Sequence, residues 1–201
     1  MMVFSTAVLV DFFGSIFSYS SAAAFSRIKS YGWLIGLLAI FTNSFFYYHN
    51  QFYANLLIQS VHLFFCFYGL RTWLRSERKV NTVIIDTEVD AATLLKWLCI
   101  WLPMYASLAM ILCFYTPSPH PLSESFGASC FLFAQYLSAN RHICNWYGWL
   151  IGDIIYLVLY WHHNTPFHFI LNLAYFPLIF YGYRNWIRES SLQKAKGLCF
   201  T

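Results

Sequence analysis

The hexapeptide YGWLIG occurs twice in this chain, at residues 31–36 and again at residues 147–152. Each copy is followed by a related octapeptide, YGLRTWLR from Tyr68 and YGYRNWIR from Tyr181. The hexapeptides lie 116 residues apart and the octapeptides 113, so the two blocks keep their order with a three-residue difference in spacing. This pattern indicates an internal repeat, and a repeat restricts the chain to folds built from two similar halves.

The composition places these halves in a membrane. The chain is 59% hydrophobic and 10% charged, whereas soluble domains carry about 25% charged residues. A helix that crosses a bilayer needs about 20 apolar residues, and no stretch shows the alternation that a membrane β-barrel requires. Seven apolar stretches are predicted to cross: 4–25, 31–48, 52–74, 93–114, 124–140, 146–162 and 166–187. We therefore expect an all-α integral membrane protein with seven transmembrane helices.

The segment between the repeats contains one span, and an odd number of connecting crossings makes both halves point the same way. The sequence thus predicts two parallel three-helix repeats joined by a linker helix (3+1+3), related by an axis along the membrane normal. In transporters built from repeats, substrate sites lie near the midplane at the repeat interface. The expected divisions are a first repeat over 1–75, a cytoplasmic loop and linker helix over 76–114, a second repeat over 115–188 and a cytoplasmic tail over 189–201.

The basic residues predict the orientation. All twelve Lys and Arg fall on one side of the predicted membrane, after the first, third and fifth spans and in the tail. Cytoplasmic segments carry an excess of Lys and Arg, so we expect the N-terminus outside and the C-terminus in the cytoplasm of a multi-pass inner (plasma) membrane protein. The net charge of +4 then reflects topology, and no nucleic-acid partner is expected.

Polar residues inside the spans are the first candidates for a binding site. The 113-residue spacing pairs Gln59 with Asn172, one amide on the third helix of each half. Asp153 and Asn43 lack polar counterparts at the spacing of the hexapeptide. An amide in a span can simply bond a neighbouring helix, but an acid there is costly and marks a ligand path or proton relay by default. Asp153 is therefore the strongest single candidate.

The spans contain the acids Asp11, Glu124 and Asp153 at or inside their edges, and the basic residues lie at or beyond the cytoplasmic ends. An acidic interior with aromatic rings suits a flat organic cation, which stacks on Trp or Tyr faces. The aromatic candidates are Trp33, Trp149, Tyr156 and Tyr175, with Tyr136 nearby. The alternative is that such rings occupy the interfacial belt, and we assign Trp73, Trp186, Trp97, Trp101 and Trp161 to that belt.

Two segments carry a resemblance to a known family. FYANLLIQSVHLFFCFYGLRTWLR, residues 52–75, resembles the Y-A-x-x-x-x-Q and Y-G-x-x-x-W signature of PnuC-type nicotinamide riboside transporters. FAQYLSANRHICNWYGWLIGDIIYLVLY, residues 133–160, resembles the A-Q-x-L-x-A-x-[RK] and N-W-x-x-W motifs of the same family. The likeness runs from about residue 11 to residue 188, apart from the loop and fourth span.

The resemblance implies a SWEET-like 3+1+3 fold, commonly trimeric, that moves nicotinamide riboside by facilitated diffusion before a cytosolic kinase traps it by phosphorylation. It adds Gln135 and Asn145, which belong to the motifs, to the candidate site. Asp153 stands where some riboside transporters carry Asn, and because the family also includes thiamine transporters, thiamine is the alternative substrate. The predicted substrate-binding residues are Trp33, Asn43, Gln59, Gln135, Asn145, Trp149, Asp153, Tyr156, Asn172 and Tyr175.

Other functions have less support in the sequence. The seven histidines show no ligand spacing with Cys or carboxylates, so no metal and no cofactor are expected. No G-x-S-x-G, Walker A or H-E-x-x-H motif is present, so we expect no enzyme. A membrane enzyme that uses Asp153 and a non-transporting membrane scaffold are the open alternatives. The expected partners are a small-molecule substrate, the lipid bilayer and two further copies in a homotrimer.

Overall fold

The computed structural model describes residues 6–49, 53–116, 118–162 and 166–198. Seven α-helices are found in these ranges, and the chain is all-α. Their bounds are α1 Thr6–Ser26, α2 Tyr31–His49, α3 Tyr53–Val80, α4 Ala91–Tyr115, α5 Pro121–Ala139, α6 Asn145–His162 and α7 Pro166–Ala195. Helices of 18 residues or more are about 27 Å long or longer, close to the thickness of a bilayer core.

The helices match the seven predicted spans, with two differences at their ends. The helices α3 and α7 continue six and eight residues beyond the predicted spans, to Val80 and Ala195. Among the described residues, α4 alone meets a length-and-hydropathy criterion for a membrane span by itself. It is also the most peripheral helix, since it packs mainly along α5.

Helices that follow one another in sequence pack together. The first three helices form one group through α1–α2 and α2–α3 contacts, and the last three form another through α5–α6 and α6–α7 contacts. The two groups meet where α3 packs on α5 and where α1 packs on α7. We call the end at which α1, α3, α5 and α7 finish the basic end, because it carries the Lys and Arg residues.

At the basic end, one tryptophan on the third helix of each group donates to the end of a helix in the other group. The indole Nε1 of Trp73 donates to the Ser138 carbonyl oxygen at 2.9 Å. The indole Nε1 of Trp186 donates to the Phe25 carbonyl oxygen at 2.8 Å. The turn after each helix already supplies one donor to these carbonyls, the Arg141 N–H to Ser138 and the Ile28 N–H to Phe25. Each indole therefore adds a second donor from the other group of helices.

The neighbouring residues repeat this exchange. Thr72 Oγ1 donates to the Ala139 carbonyl oxygen at 2.6 Å, and Asn185 Nδ2 donates to the Ser26 carbonyl oxygen at 3.0 Å. Each donor and each acceptor has a counterpart 113 residues away. The contacts between α3 and α5 and between α7 and α1 are thus the same contact made twice.

The same tryptophans form the centre of the core. Trp73 and Trp186 lie edge to face with Trp33 and Trp146, respectively, with ring centroids 5.7 and 5.6 Å apart. The two pairs meet through Trp73 and Trp186, whose ring centroids are 5.8 Å apart. The assignment of Trp73 and Trp186 to the interfacial belt is wrong, because they are only 0% and 1% exposed and their N–H groups bond inside the protein rather than at a lipid headgroup.

These contacts also correct the alignment of the two halves. Trp33 packs on Gly69 and Trp146 packs on Gly182, where an added Cβ would collide with the indole ring. Both pairs are related by 113 residues, whereas the hexapeptide would match Trp33 with Trp149. The hexapeptide begins at the first residue of α2 but at the third residue of α6. Identical residues of the two copies therefore occupy different packing positions. By packing, the counterpart of Asp153 is Ile40 rather than Leu37.

The paired indole bonds lead to a stability prediction. Trp73→Phe and Trp186→Phe should each lower the free energy of unfolding by about 1–3 kcal/mol, because each removes a buried hydrogen bond between the two groups of helices and leaves a cavity where the larger indole packed. The two changes should cost similar amounts, since their surroundings are alike. Trp161→Phe is the control, because this side chain is 70% exposed and its loss should cost less than about 0.5 kcal/mol. Unfolding of the three variants in detergent measures the difference, and equal effects in all three would contradict it.

Candidate functional site

Four residues on one side of α6 point toward its neighbouring helices: Trp149, Gly152, Asp153 and Tyr156. They are spaced by three and four residues, the spacing that places side chains on one helix face. Gly152 packs directly against the ring of Phe131 on α5. Phe131 lies between the other two rings, 5.5 Å from Trp149 and stacked on Tyr156 at 5.2 Å and 14°. This face therefore presents an aromatic surface beside a carboxylate.

The carboxylate of Asp153 meets α7. Asn172 Nδ2 donates to Asp153 Oδ1 at 3.2 Å, and both side chains are buried, at 6% and 7% exposed. Asp153 lies at the midpoint of α6. Among the described residues, the one recorded ion pair joins Arg188 and Glu189 on the surface, so no basic side chain pairs with Asp153 there.

The pair has hydrogen-bonding capacity that the described residues do not fill. Asn172 Oδ1 is buried with no recorded hydrogen-bond partner among the described residues. An ionised carboxylate can accept about four hydrogen bonds, and the amide of Asn172 supplies one of them. Unpaired buried acceptors are costly, so this position is suited to a ligand that brings N–H or O–H donors and a positive charge.

The amide predicted to face Asn172 does not bond to it in this conformation. Gln59 lies half-buried on α3, and among the described residues no hydrogen bond links it to Asn172. Asn172 instead bonds Asp153 within the last three helices. A role for Gln59 in binding stays a prediction.

Three further predicted residues lie at contacts between helices. Gln135 and Tyr175 lie where the two groups meet, and Asn43 lies within the first group. Gln135 is buried on α5, and its Nε2 lies 4.0 Å from Cys66 Sγ on α3. Asn43 Nδ2 donates to Ser18 Oγ at 3.4 Å, between α2 and α1. Tyr175 lies beside Tyr19, with ring centroids 5.6 Å apart, where α7 meets α1.

Two predicted residues lie at the basic end, away from Asp153. Trp33 is fully buried in the tryptophan core, and its Nε1 has no recorded partner among the described residues. Asn145 is the first residue of α6, and its Nδ2 donates to the His142 carbonyl oxygen at 2.7 Å. Both positions serve packing and helix initiation in this conformation, and a role in substrate binding stays a prediction for each.

The other acids of the predicted interior are less informative. The side chain of Asp11 lies outside the described residues. Glu124 occupies the first turn of α5 and is half-buried. Asp153 is therefore the acid that the described structure places in the middle of the helix bundle.

Sequence reasoning missed Phe131, the ring between Trp149 and Tyr156. The sequence did contain a sign of such a ring, because Gly152 in the second hexapeptide leaves room on α6 for a large side chain from a neighbouring helix. Nothing in the sequence indicated which residue of α5 would fill that room. Ser138, which accepts from Trp149 Nε1 at 3.4 Å, was missed for the same reason.

The candidate site is enclosed in this conformation. Asp153 and Asn172 are only 6% and 7% exposed, and two cavities in the described part of the chain lie away from the predicted site residues. The smaller, of about 270 Å³, lies between Tyr105, Phe126 and Ile155. The larger, of about 590 Å³, lies at the basic end. Access to Asp153 and Asn172 therefore requires the helices to move.

Comparison with known proteins agrees with the geometry. Residues 8–188 match the family described as "Nicotinamide mononucleotide transporter". A solved structure described as "Crystal structure of the Vitamin B3 transporter PnuC" is similar over 94% of this chain and 85% of that chain, with a TM-score of 0.74. Its sequence identity of 17% shows likeness of fold. No curated protein sequence matches the chain.

These findings confirm the resemblance read from the motifs and the expectation that the protein is no enzyme. They also support a multi-pass membrane protein with a transport function. Because the family match covers nearly the whole sequence, the chain belongs to the nicotinamide mononucleotide transporter family.

Proposed function

We propose that this transporter takes up nicotinamide riboside by facilitated diffusion, and that cytosolic phosphorylation then traps the product. The observation that carries the proposal is the buried pair of Asp153 and Asn172, which offers unfilled acceptors beside an aromatic face. Nicotinamide riboside has a flat pyridinium cation, a carboxamide and ribose hydroxyls. The cation would offset the cost of a charged acid in the membrane, and the amide and hydroxyl donors would fill the free acceptors.

The same residues argue for the riboside over the mononucleotide named in the family description. A phosphate group in the membrane interior needs basic side chains or oriented N–H donors. All twelve Lys and Arg of this chain are expected on one side of the membrane, and an acid lies at the centre of the candidate site. A phosphorylated ligand would therefore face repulsion from Asp153 without a compensating base.

Thiamine is the alternative substrate, because it is also a flat aromatic cation with a hydroxyl group. Asp153 favours a cation without choosing between the two. A non-transporting scaffold is the alternative from another class, and it has no use for an acid in the middle of a membrane helix.

We also propose the 3+1+3 architecture, with parallel halves over 1–75 and 115–188, a loop and linker helix over 76–114 and a tail over 189–201. Support comes from the contacts that recur 113 residues apart, such as the indole bonds of Trp73 and Trp186. The peripheral position of α4 suits a linker. A homotrimer, as the resemblance implies, would have the exposed apolar side of α4 available for contact between copies.

The substrate proposal is tested by uptake into proteoliposomes. Labelled nicotinamide riboside should enter and reach equal concentrations on both sides, without dependence on a proton or sodium gradient. Nicotinamide mononucleotide should enter at least about tenfold more slowly. Thiamine entering faster than the riboside would favour the alternative, and accumulation above equilibrium would contradict facilitated diffusion.

The role of Asp153 is tested with a neutral variant. Asp153→Asn should keep the fold and weaken riboside binding by about 1–3 kcal/mol, the range for a hydrogen bond involving a charged group, or about 5- to 150-fold in Kd. The uncharged dihydronicotinamide riboside should lose far less affinity. Glu189→Gln, at an exposed acid on α7, is the control. Unchanged binding and transport in both Asp153→Asn and Trp149→Ala would assign these residues to packing.

The orientation of the chain in the inner membrane, with its N-terminus outside, is tested by labelling intact cells. In a background without native cysteines, Ser118→Cys between α4 and α5 should react with a membrane-impermeant maleimide. Lys196→Cys, just after α7, should react only after the cells are opened, because the basic residues are expected to face the cytoplasm. The reverse pattern would overturn the proposed topology.

A further inference from the structure

The connection between α3 and α4, residues 81–90, which we call the strap, lies across the basic end of the helices. Most of its residues are polar or exposed, but Val83 and Ile85 are 1% and 4% exposed. They belong to the same buried cluster as Trp73 and Trp186. The strap therefore covers the tryptophan core from the basic side.

On one side the strap is fixed to α3. Ser76 Oγ donates to the Thr82 carbonyl oxygen at 3.0 Å and accepts from the Ile84 backbone N–H at 3.0 Å. These bonds hold the start of the strap at the end of the first three helices.

On the other side the strap is bonded to α7. Gln193 is 6% exposed, and both ends of its amide are used. Its Nε2 donates to the Val83 carbonyl oxygen at 2.9 Å, and its Oε1 accepts from the Ile85 N–H at 3.1 Å. One side chain thus replaces the two hydrogen bonds that a neighbouring strand would make.

The strap also pairs with the loop between α5 and α6. Asp86 forms a parallel β-bridge with His142, in which the Asp86 N–H donates to the Arg141 carbonyl oxygen at 3.0 Å and the Ile143 N–H donates to the Asp86 carbonyl oxygen at 2.9 Å. The His142 ring nitrogen Nε2 lies 3.1 Å from the Glu88 carbonyl oxygen. Burial lowers the pKa of the Arg141 guanidinium, and the charge of nearby Asp86 opposes that shift.

The strap therefore joins the first three helices to the last three at the basic end. Its contact with α7 is limited, because a cavity of about 590 Å³ lies between strap residues 85–90 and the end of α7. Residues on that side of the strap can move without displacing a packed helix. The strap is thus held by hydrogen bonds and two apolar anchors, and the cavity beside residues 85–90 gives them space to move when those bonds break.

We propose that the strap is a releasable latch, which holds the basic end closed through Gln193 and residues 141–143 and must detach before substrate can pass through that end. Passage requires the two groups of helices to separate there, since Trp73 and Trp186 lie in contact between them. The strap spans that same boundary, so the groups cannot part while it is bonded to both. The latch proposal rests on the proposed function in one respect, because its main test measures riboside uptake.

The first test locks the strap reversibly. Residues paired across a β-bridge lie about 4.8 Å apart, within the range of Cα separations that a disulfide accepts. Asp86→Cys with His142→Cys, in a chain that also carries Cys144→Ser, should form a disulfide when treated with copper phenanthroline. Oxidation should lower riboside uptake at least about tenfold, and dithiothreitol should restore it. The reduced protein is its own control for the loss of the native side chains.

The outcomes separate the latch from the proposed substrate. Equal uptake by the oxidised and reduced protein would overturn the latch. Absence of riboside uptake in the native protein would overturn the proposed substrate instead, and the latch would then be decided by hydrogen exchange, which needs no substrate.

Hydrogen exchange supplies that second test. Gln193→Ala should speed exchange of the backbone N–H groups of Ile85 and Asp86 at least about fivefold. The Ile85 N–H loses its acceptor directly, and the Asp86 N–H, which donates to the Arg141 carbonyl oxygen, is exposed when the strap detaches. Ser191→Ala is the matched control on the same helix, since the exposed Ser191 donates to the Ile187 carbonyl oxygen of its own helix and, among the described residues, makes no bond to the strap. If strap residues in the native protein exchange as slowly as the centre of α5, the strap is a fixed part of the fold and the latch is wrong.

Discussion

The carbonyl groups at the ends of α1 and α5 need donors that their own helices cannot provide. In this protein the turn after each helix supplies some of these donors. The opposite group of helices supplies others through Thr72 and Asn185, and it adds the indoles of Trp73 and Trp186. Trp73 and Trp186 pack edge to face against Trp33 and Trp146, and the glycines at positions 69 and 182 leave room for those two rings. Satisfying two helix ends thus determines both the core and the way in which the two groups of helices meet.

The frame produced in this way is nearly symmetric, whereas the features that suit a ligand are not. Asp153 corresponds by packing to an isoleucine, and its partner Asn172 corresponds to Gln59. A symmetric frame provides two similar bodies that can move relative to each other, and an unsymmetric ligand requires residues that differ between them. The acid on α6 and the strap at the basic end are the two places where the halves differ most clearly. We propose that the first serves binding and the second closure.

Closure at the basic end also explains why the candidate site is enclosed. Asp153 and Asn172 are buried, while the larger cavity lies beside the strap. A transporter that moves a cation across a membrane needs a state in which its site is shielded from one side. The buried tryptophans and the strap cover the basic side of the helices, and in the proposed cycle they provide that shield.

The sequence by itself determined the helix count, the approximate span of each helix and the family, because apolar length and local motifs depend on residues close together in the chain. It also singled out Asp153, since an acid in an apolar run is visible without a structure. It misassigned Trp73 and Trp186 to the membrane interface, and the repeated hexapeptide aligned Trp33 with Trp149. Both errors arise because composition and residue identity do not say which residues a side chain contacts.

Only the tertiary structure decided those points. Each of these indoles donates to the end of a helix that lies more than sixty residues away in the sequence. The pairing of Asp153 with Asn172 and the docking of the strap on Gln193 depend in the same way on contacts between distant segments. Helices form from local sequence, but hydrogen bonds in a membrane interior must be completed by whichever helix packs alongside.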